Sequence, residues 1–210
     1  MNVKDLISAL GAEFFTGVPD SKLRPLVDYL MDTYGAGSPA HQIAVNEGSA
    51  AALAAGYHLA TGKTPLVYLQ NSGLGNIVNP LLSLLHKDVY GIPCIFVIGW
   101  RGEPDLHDEP QHLVQGLLSL PLLETMGVKT MVLARETTPD DAAQWMEEIR
   151  PHLMAGGQCA LLVRDGALDH PKHKYTNEYI LRREDVIDRI LDAAGDAVIV
   201  ATTGKTGREL

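Results

Sequence analysis

Cysteine is scarce in this sequence. The chain of 210 residues contains two, Cys94 and Cys159, and each lies inside an apolar run of strand length, IPCIFVI and QCALLV. The two have no metal-ligand spacing. Such cysteines ordinarily indicate buried free thiols in a reducing compartment, so the sequence predicts a cytoplasmic protein.

Long apolar runs and an excess of positive charge are also missing. No stretch approaches the roughly 20 consecutive apolar residues that span a membrane, and the N-terminal segment carries Asp5 and lacks the apolar run of a signal peptide. The formal net charge is −9. Because nucleic acids and anionic membranes are bound by clustered Lys and Arg, this balance disfavours both as partners. An anionic substrate would need positive charge that is concentrated locally.

Aromatic residues make up only 6% of the chain, against 46% for all hydrophobic residues, so the core must be built mainly from Ala, Val, Leu and Ile. These residues form apolar runs of strand length that alternate with longer helical patterns. Several runs are continuously apolar, as expected of strands with both faces buried. The pattern predicts an α/β protein whose parallel sheet is flanked by helices on both faces.

The alternation stops near the C-terminal end. Residues 165–179 contain Pro, two His and two Lys but little apolar surface, which indicates a linker after a first domain of residues 1–164. Residues 180–210 begin a new unit with one helix and one strand, AVIVAT. Because a lone helix and strand cannot bury a core of their own, we expect this unit to be truncated or to be completed by another chain.

Four polar segments follow predicted strands: VPDS, NEGS, QNSGLGN and GWRGEPDLHDEPQH. Ligands of parallel sheets lie beyond the carboxyl ends of the strands, so these segments are the candidate site. Glu47, in NEGS, starts a helix in which eight of the nine residues from Gly48 to Gly56 are Gly, Ala or Ser. Small residues let a ring approach closely. From spacing alone, a capping glutamate on an Ala-rich helix and a functional carboxylate are equally compatible with this motif.

The run VNEGSAAALAAGYHLATGKTPLVYLQNSGLGN resembles the pyrimidine-binding domain of thiamine-diphosphate enzymes. Further runs carry the likeness along essentially the whole chain: GVPDS, GYHLATGK, IGWRGEPDLHDEPQH and TTGKTGREL. Together they are similar to the 2-oxoacid decarboxylases of that family, most of all to the group that acts on phosphonopyruvate. The group that acts on sulfopyruvate has the same general layout.

The resemblance implies the thiamine-diphosphate-binding fold and the non-oxidative decarboxylation of phosphonopyruvate to phosphonoacetaldehyde and CO2. It implies that Glu47 bonds to N1′ of the cofactor's pyrimidine ring and so favours the tautomer that activates the cofactor. Asp20 would be a second catalytic residue that relays protons. The cofactor would also be contacted by Asn71, Ser72 and Gly73. The residues implied for substrate binding are Ser21, Gln70, Arg101, His107, Gln111 and His112.

The family holds the diphosphate and Mg2+ with a Gly-Asp-Gly stretch and a later Asn pair in a second domain, and neither lies in these 210 residues. The resemblance therefore implies metal ligands outside this segment, and either a homo-oligomer or a complementary chain that carries the diphosphate-binding domain.

Other interpretations of the same residues stay open. Asp20 suits a helix N-cap or turn equally well, and the loop from Arg101 to His112 suits a solvated polar loop with internal salt bridges. His107 and His112 are five positions apart around a proline, which is not helical metal-ligand spacing. At the level of the whole protein, a sulfopyruvate decarboxylase and a non-catalytic binding or assembly module are the alternatives. A Rossmann dehydrogenase is disfavoured because no G-x-G-x-x-G opens a helix after a strand.

Overall fold

The computed structural model describes residues 1–171, 178–201 and 204–210. They fall into two compact units that divide between positions 173 and 174. This division lies inside the predicted linker 165–179, part of which is outside the described residues. The assignment of the two units to a pyrimidine-binding domain and the start of a diphosphate-binding domain stays a prediction.

The first unit alternates helices and strands as the apolar pattern predicts. Its elements are, in chain order, α1 (Val3–Leu10), β1 (Phe15–Gly17), α2 (Arg24–Tyr34), β2 (His41–Ile43), α3 (Glu47–Thr61), β3 (Leu66–Gln70), a 3₁₀ turn (Asn71–Gly73), α4 (Leu74–Pro80), a π-helical turn (Leu81–Leu85), β4 (Cys94–Gly99), α5 (Pro110–Thr125), β5 (Lys129–Leu133), α6 (Pro139–Met154) and β6 (Gln158–Val163).

Local chemistry sets several helix ends. The side chain of Asn46 accepts a hydrogen bond from the backbone N–H of Ser49 and caps α3, which ends at Gly62 in the left-handed conformation. Pro110 starts α5 because a proline at the first helical position has no N–H to leave unpaired. The helix therefore begins earlier than the apolar pattern around Leu113 predicts, and the last residues of the polar loop are helical.

The six strands form one all-parallel sheet in the order β2-β1-β3-β4-β6-β5, which confirms the predicted fold class. Alternate side chains of β3 enter opposite cores. Leu66 and Tyr68 pack with residues of α1, α2 and α6, whereas Val67 and Leu69 pack with residues of α3, α4 and α5. Both faces of the central strands are thus covered, which is why these strands are continuously apolar.

The second unit, described by residues 178–201 and 204–210, contains α7 (Arg183–Ala194) and α8 (Lys205–Glu209). The predicted strand AVIVAT is wrong over residues 197–201, which form no strand. Val198 and Val200 are 93% and 91% exposed. A strand requires a neighbouring strand to bond its backbone groups, and the described part of this unit supplies none.

Two expectations about the chain as a whole can be compared with the fold. Cys94 and Cys159 are both buried free thiols, as predicted, and burial raises the pKa of each above its ordinary value. Among the described residues, no helix combines the length and the apolar character needed to cross a membrane.

Candidate active site

The carboxyl ends of four neighbouring strands, β2, β1, β3 and β4, bring the predicted polar segments to one edge of the sheet. Parallel strands all end at the same edge, so residues far apart in the sequence meet there. Asp20 follows β1, Glu47 follows β2, and Gln70 is the last residue of β3. Gln70 contacts the Asp20 side chain, and Gly73, in the turn after β3, contacts the Glu47 side chain.

The Glu47 carboxylate lies at the first residue of α3 and is only 9% exposed. Its Oε2 accepts a hydrogen bond of 2.7 Å from Nδ2 of Asn76, on α4. Its Oε1 accepts no hydrogen bond from the described residues, and it is not among the fully buried atoms that lack a partner. One oxygen is therefore anchored, and the other is available to a ligand.

Gly73 forms the wall against which this carboxylate rests. A Cβ atom at Gly73 would lie 2.4 Å from both Cδ and Oε1 of Glu47. Atoms cannot approach so closely, so only glycine leaves room for the carboxylate in this position. The predicted cofactor residue Gly73 is thus beside Glu47, where its lack of a side chain matters.

Asp20 is held by hydrogen bonds to both of its carboxylate oxygens. The backbone N–H of Lys22 donates to Oδ2 at 2.9 Å, and Nε2 of Gln70 donates to Oδ1. The hydroxyl of Ser72 in turn donates to Oε1 of Gln70 at 2.6 Å. Asp20 is 9% exposed. Asp20 thus stabilises a turn, which is the structural alternative to a catalytic role. It also belongs to a hydrogen-bonded group with Gln70 and Ser72.

Asn71, predicted to contact the cofactor, has a different role in the fold. Its side chain is fully buried, and Nδ2 donates to the carbonyl of Arg101 and to the hydroxyl of Ser119. Its Oδ1 accepts from the backbone N–H of Arg101 at 3.0 Å. Since these bonds use both amide hydrogens, the Asn71 side chain ties the loop after β3 to the loop after β4 and has no donor left for a ligand.

Arg101 is paired within its own loop. Its Nε donates to Asp108 at 2.8 and 3.1 Å, and Nη2 donates to the same carboxylate. The guanidinium and the backbone N–H groups of Gly102 and Glu109 hold the pKa of Asp108 well below its ordinary value. The bond to Asp108 likewise raises the pKa of Arg101. Salt bridging inside the polar loop, the alternative to substrate binding, is thus present in the structure.

The remaining predicted substrate residues lie on more open surface. Ser21, His107 and Gln111 are exposed, and His112 is partly exposed in the first turn of α5. None of these side chains is hydrogen-bonded to Asp20 or Glu47 within the described residues. His107 and the side chain of Lys22 line a cavity of about 210 Å³ beside the loop after β4. A cavity of about 1040 Å³ lies at the opposite edge of the sheet, and its lining includes none of the predicted site residues.

Two further residues contribute to this site and were not predicted from the sequence, Asn76 and Gly99. A Cβ at Gly99 would come within 2.5 Å of Oδ2 of Asp20, so glycine is needed there as it is at Gly73. Asn76 follows Gly73 by three positions, which places both on one side of a helical turn. That spacing within QNSGLGN is the signal that could have indicated it. Within the described residues, no group of three or more His, Cys, Asp and Glu residues could hold a metal ion.

Residues 3–121 match the family described as "Thiamine pyrophosphate enzyme, N-terminal TPP binding domain". The chain is 32% identical to a phosphonopyruvate decarboxylase of Streptomyces viridochromogenes, over 97% of this chain and 54% of that protein. It is also 32% identical to the sulfopyruvate decarboxylase subunit alpha of Methanococcus maripaludis, over 66% of this chain and 77% of that subunit. The chain thus spans about half the length of the phosphonopyruvate decarboxylase that it matches.

Solved structures with the same fold include the benzoylformate decarboxylase of Polynucleobacter necessarius. It superimposes with a TM-score of 0.57 at 19% identity, over 91% of this chain and 35% of that chain. The thiamine diphosphate-dependent 4-hydroxybenzoylformate decarboxylase of Rhodococcus jostii gives a TM-score of 0.53 at 20% identity, over 91% of this chain and 36% of that chain. At these identities the likeness establishes the shared fold.

Proposed function

Because this chain belongs to the thiamine-pyrophosphate-dependent enzymes and carries their N-terminal TPP binding domain, we propose that it holds the aminopyrimidine ring of thiamine diphosphate in a 2-oxoacid decarboxylase. The proposed reaction converts phosphonopyruvate to phosphonoacetaldehyde and CO2. One observation carries the proposal: the largely buried Glu47, at the carboxyl edge of a parallel sheet, has one anchored oxygen and one that no described residue hydrogen-bonds. Such a carboxylate is what an aminopyrimidine nitrogen requires.

The residues around Glu47 fit a flat heteroaromatic ring. The carboxylate is backed by Gly73, and a Cβ at Gly75 would meet no atom within 4 Å, so this side of the loop is open. An acceptor in a site of low exposure forms a strong charge-assisted hydrogen bond. When bound, thiamine diphosphate supplies the electron sink that decarboxylation needs. The contribution of this chain is to hold a proton between the Glu47 carboxylate and ring atom N1′.

Asp20 has the second chemical role in the proposal. Its carboxylate is oriented by Gln70 and by the backbone N–H of Lys22. In this position Asp20 would take up a proton from solvent and relay it to the reacting carbon after CO2 is lost. In the proposal, Ser72 orients Gln70 through its hydrogen bond. Ser72 is also the member of the group Asp20, Gln70 and Ser72 that contacts the cofactor.

Several residues of the chain are candidates for binding the acidic group of the substrate. A phosphonate is a dianion near neutral pH and is well matched by Arg. Nη1 of Arg101 makes no hydrogen bond within the described residues, so it is the donor that Asp108 leaves to a ligand. We propose as further contacts the residues that end or follow strands at the same edge of the sheet: Ser21, Gln70, His107, Gln111 and His112.

The complete enzyme is proposed to need a diphosphate-binding part and Mg2+ in addition to the residues described here, since the chain spans about half of the phosphonopyruvate decarboxylases that it matches. A homo-oligomer or a separate chain could supply that part. Sulfopyruvate is the second candidate substrate. Its support is an identity of 32% to a sulfopyruvate decarboxylase subunit alpha, over 66% of this chain.

The test is a substrate panel of phosphonopyruvate, sulfopyruvate and pyruvate, with CO2 release measured in the presence of thiamine diphosphate and Mg2+. The chain is assayed alone and mixed with the C-terminal half of a phosphonopyruvate decarboxylase. We expect turnover of phosphonopyruvate in the mixture and its loss in Glu47→Gln, with the far-UV circular dichroism unchanged. Preference for sulfopyruvate would select the second candidate. Near-normal activity of Glu47→Gln would refute the role of this carboxylate, and cofactor binding without any turnover would favour a non-catalytic module.

A further inference from the structure

We propose that Asn76 is the positioning residue of the Glu47 carboxylate, and that Oε1 of Glu47 is the atom that meets the pyrimidine nitrogen. This inference rests on the proposed function and adds a residue and an atom to it. Asn76 lies on α4, and the sequence analysis gave it no role. Its assignment comes from the way in which the two carboxylate oxygens differ in their surroundings.

The two oxygens of Glu47 are not equivalent. Oε2 accepts the 2.7 Å hydrogen bond from Nδ2 of Asn76. Oε1 has no hydrogen-bond partner among the described residues, and it lies on the side of Gly73, where an added Cβ would come within 2.4 Å of it. A ligand that requires a carboxylate oxygen therefore finds Oε1 vacant and Oε2 occupied.

The backbone fixes the position from which Asn76 donates. Gly48, the residue after Glu47, packs so close to α4 that a Cβ there would lie 3.2 Å from the backbone oxygen of Asn76 and 3.7 Å from the ring of Pro80. The starts of α3 and α4 are thus in direct contact. Because this contact fixes the backbone at Asn76, its amide donates from a fixed point on α4 and favours one rotamer of the longer Glu side chain.

The hydrogen bond from Asn76 would affect the reaction by keeping the Glu47 carboxylate in position. Without it, the Glu47 side chain would have no polar contact within the described residues and would be free to change rotamer toward water. A displacement of about 1 Å in a reacting group can lower a rate by about 10²-fold. The alternative is that Asn76, which is itself exposed, makes only a surface hydrogen bond with no catalytic consequence.

The experiment compares Asn76→Ala with Asn79→Ala, each in the full chain with its complementary half, thiamine diphosphate and Mg2+. Asn79 is a matched control because it lies on the same helix and is also exposed, and because the hydroxyl of Ser83 is the only hydrogen-bond partner of its side chain in the described part of the chain. We expect Asn76→Ala to lower kcat by about 10²-fold with a small change in KM for the 2-oxoacid, and Asn79→Ala to match the unmodified chain. Asn76→Gln, which keeps the amide, should recover part of the loss.

A second measurement does not depend on turnover. The side-chain amide signal of Asn76 is followed by ¹⁵N–¹H NMR in the 210-residue chain, and we expect it to shift in Glu47→Ala while the Asn79 signal stays in place. An unshifted Asn76 signal, or unchanged kcat in Asn76→Ala beside an active control, would overturn the positioning role. Absence of turnover in the unmodified chain and in Asn79→Ala would instead overturn the proposed function, and this role with it.

Discussion

Replacing Gly73 by alanine should disable the site while leaving the fold intact. The new Cβ would lie 2.4 Å from Oε1 and Cδ of Glu47, whereas ordinary contact begins at 3.4 Å, so the carboxylate must move by about 1 Å. Gly73 has φ −80° and ψ −4°, a conformation that alanine adopts without strain. The perturbation is therefore confined to the contact with Glu47.

The substitution should reduce the free energy of unfolding by less than it raises the activation free energy of the reaction. Loss of the hydrogen bond from Asn76 to Glu47 costs about 2 kcal/mol, and the lower chain entropy of alanine in the unfolded state returns about 0.5 kcal/mol. The net loss in the free energy of unfolding should thus be about 1.5 kcal/mol. A displacement of about 1 Å should lower turnover by about 10²-fold, equivalent to about 2.7 kcal/mol.

Two assays and one control test this expectation. Urea denaturation gives the free energy of unfolding, and calorimetric titration with thiamine diphosphate, followed by the decarboxylation assay, reports on the site. Gly56→Ala is the matched control because it lies in α3 with Glu47 and its Cβ would meet no atom within 4 Å. It should be stabilised by about 0.5–1 kcal/mol and remain active. Unchanged cofactor affinity and turnover in Gly73→Ala would refute the reasoning.

Three further predictions concern the fold and the loop after β4. Burial lowers the pKa of His41, whose ring donates to the carbonyl of Gly35 and accepts from Tyr68, so below about pH 6.5 the unfolded chain takes up a proton that the folded chain does not. The free energy of unfolding should fall as the pH drops below that value, and urea titrations should show a weaker dependence in His41→Gln. Gly116→Ala places a Cβ 1.6 Å from the backbone oxygen of Gly102 and should cost about 3 kcal/mol of stability, measured by thermal denaturation; a neutral result would contradict this contact. Asp108→Asn removes the carboxylate partner of Arg101 and should cost about 2 kcal/mol in the same assay, with no loss expected if the pair is only a surface contact.

The fold was largely predictable because its signals are local. The apolar runs around Cys94 and Cys159 indicated strands buried on both faces, and both became central strands of the sheet. The run AVIVAT carries the same signal and forms no strand over residues 197–201, because pairing depends on a neighbouring strand that local sequence does not specify. Helix boundaries shifted where a proline overrode the apolar pattern, as at Pro110.

The candidate site was predicted in its residue types but not in its contacts. Glu47, Asp20 and Gly73 were singled out from motifs, and the sheet brings their loops to one edge. No local signal distinguishes Asn71, whose side chain is hydrogen-bonded inside the fold, from Ser72 beside it. It also could not show that Arg101 is already bound to Asp108.

Most of the secondary structure, the sheet class and the segments that border the candidate site follow from local sequence, because hydrophobic periodicity and turn chemistry act over a few residues. Which polar atoms remain available to a ligand is set by the assembled fold. That property depends on pairs distant along the chain, such as Asn76 with Glu47 and Gln70 with Asp20. A donor or acceptor is free only if no such partner reaches it, and that is settled when the strands assemble.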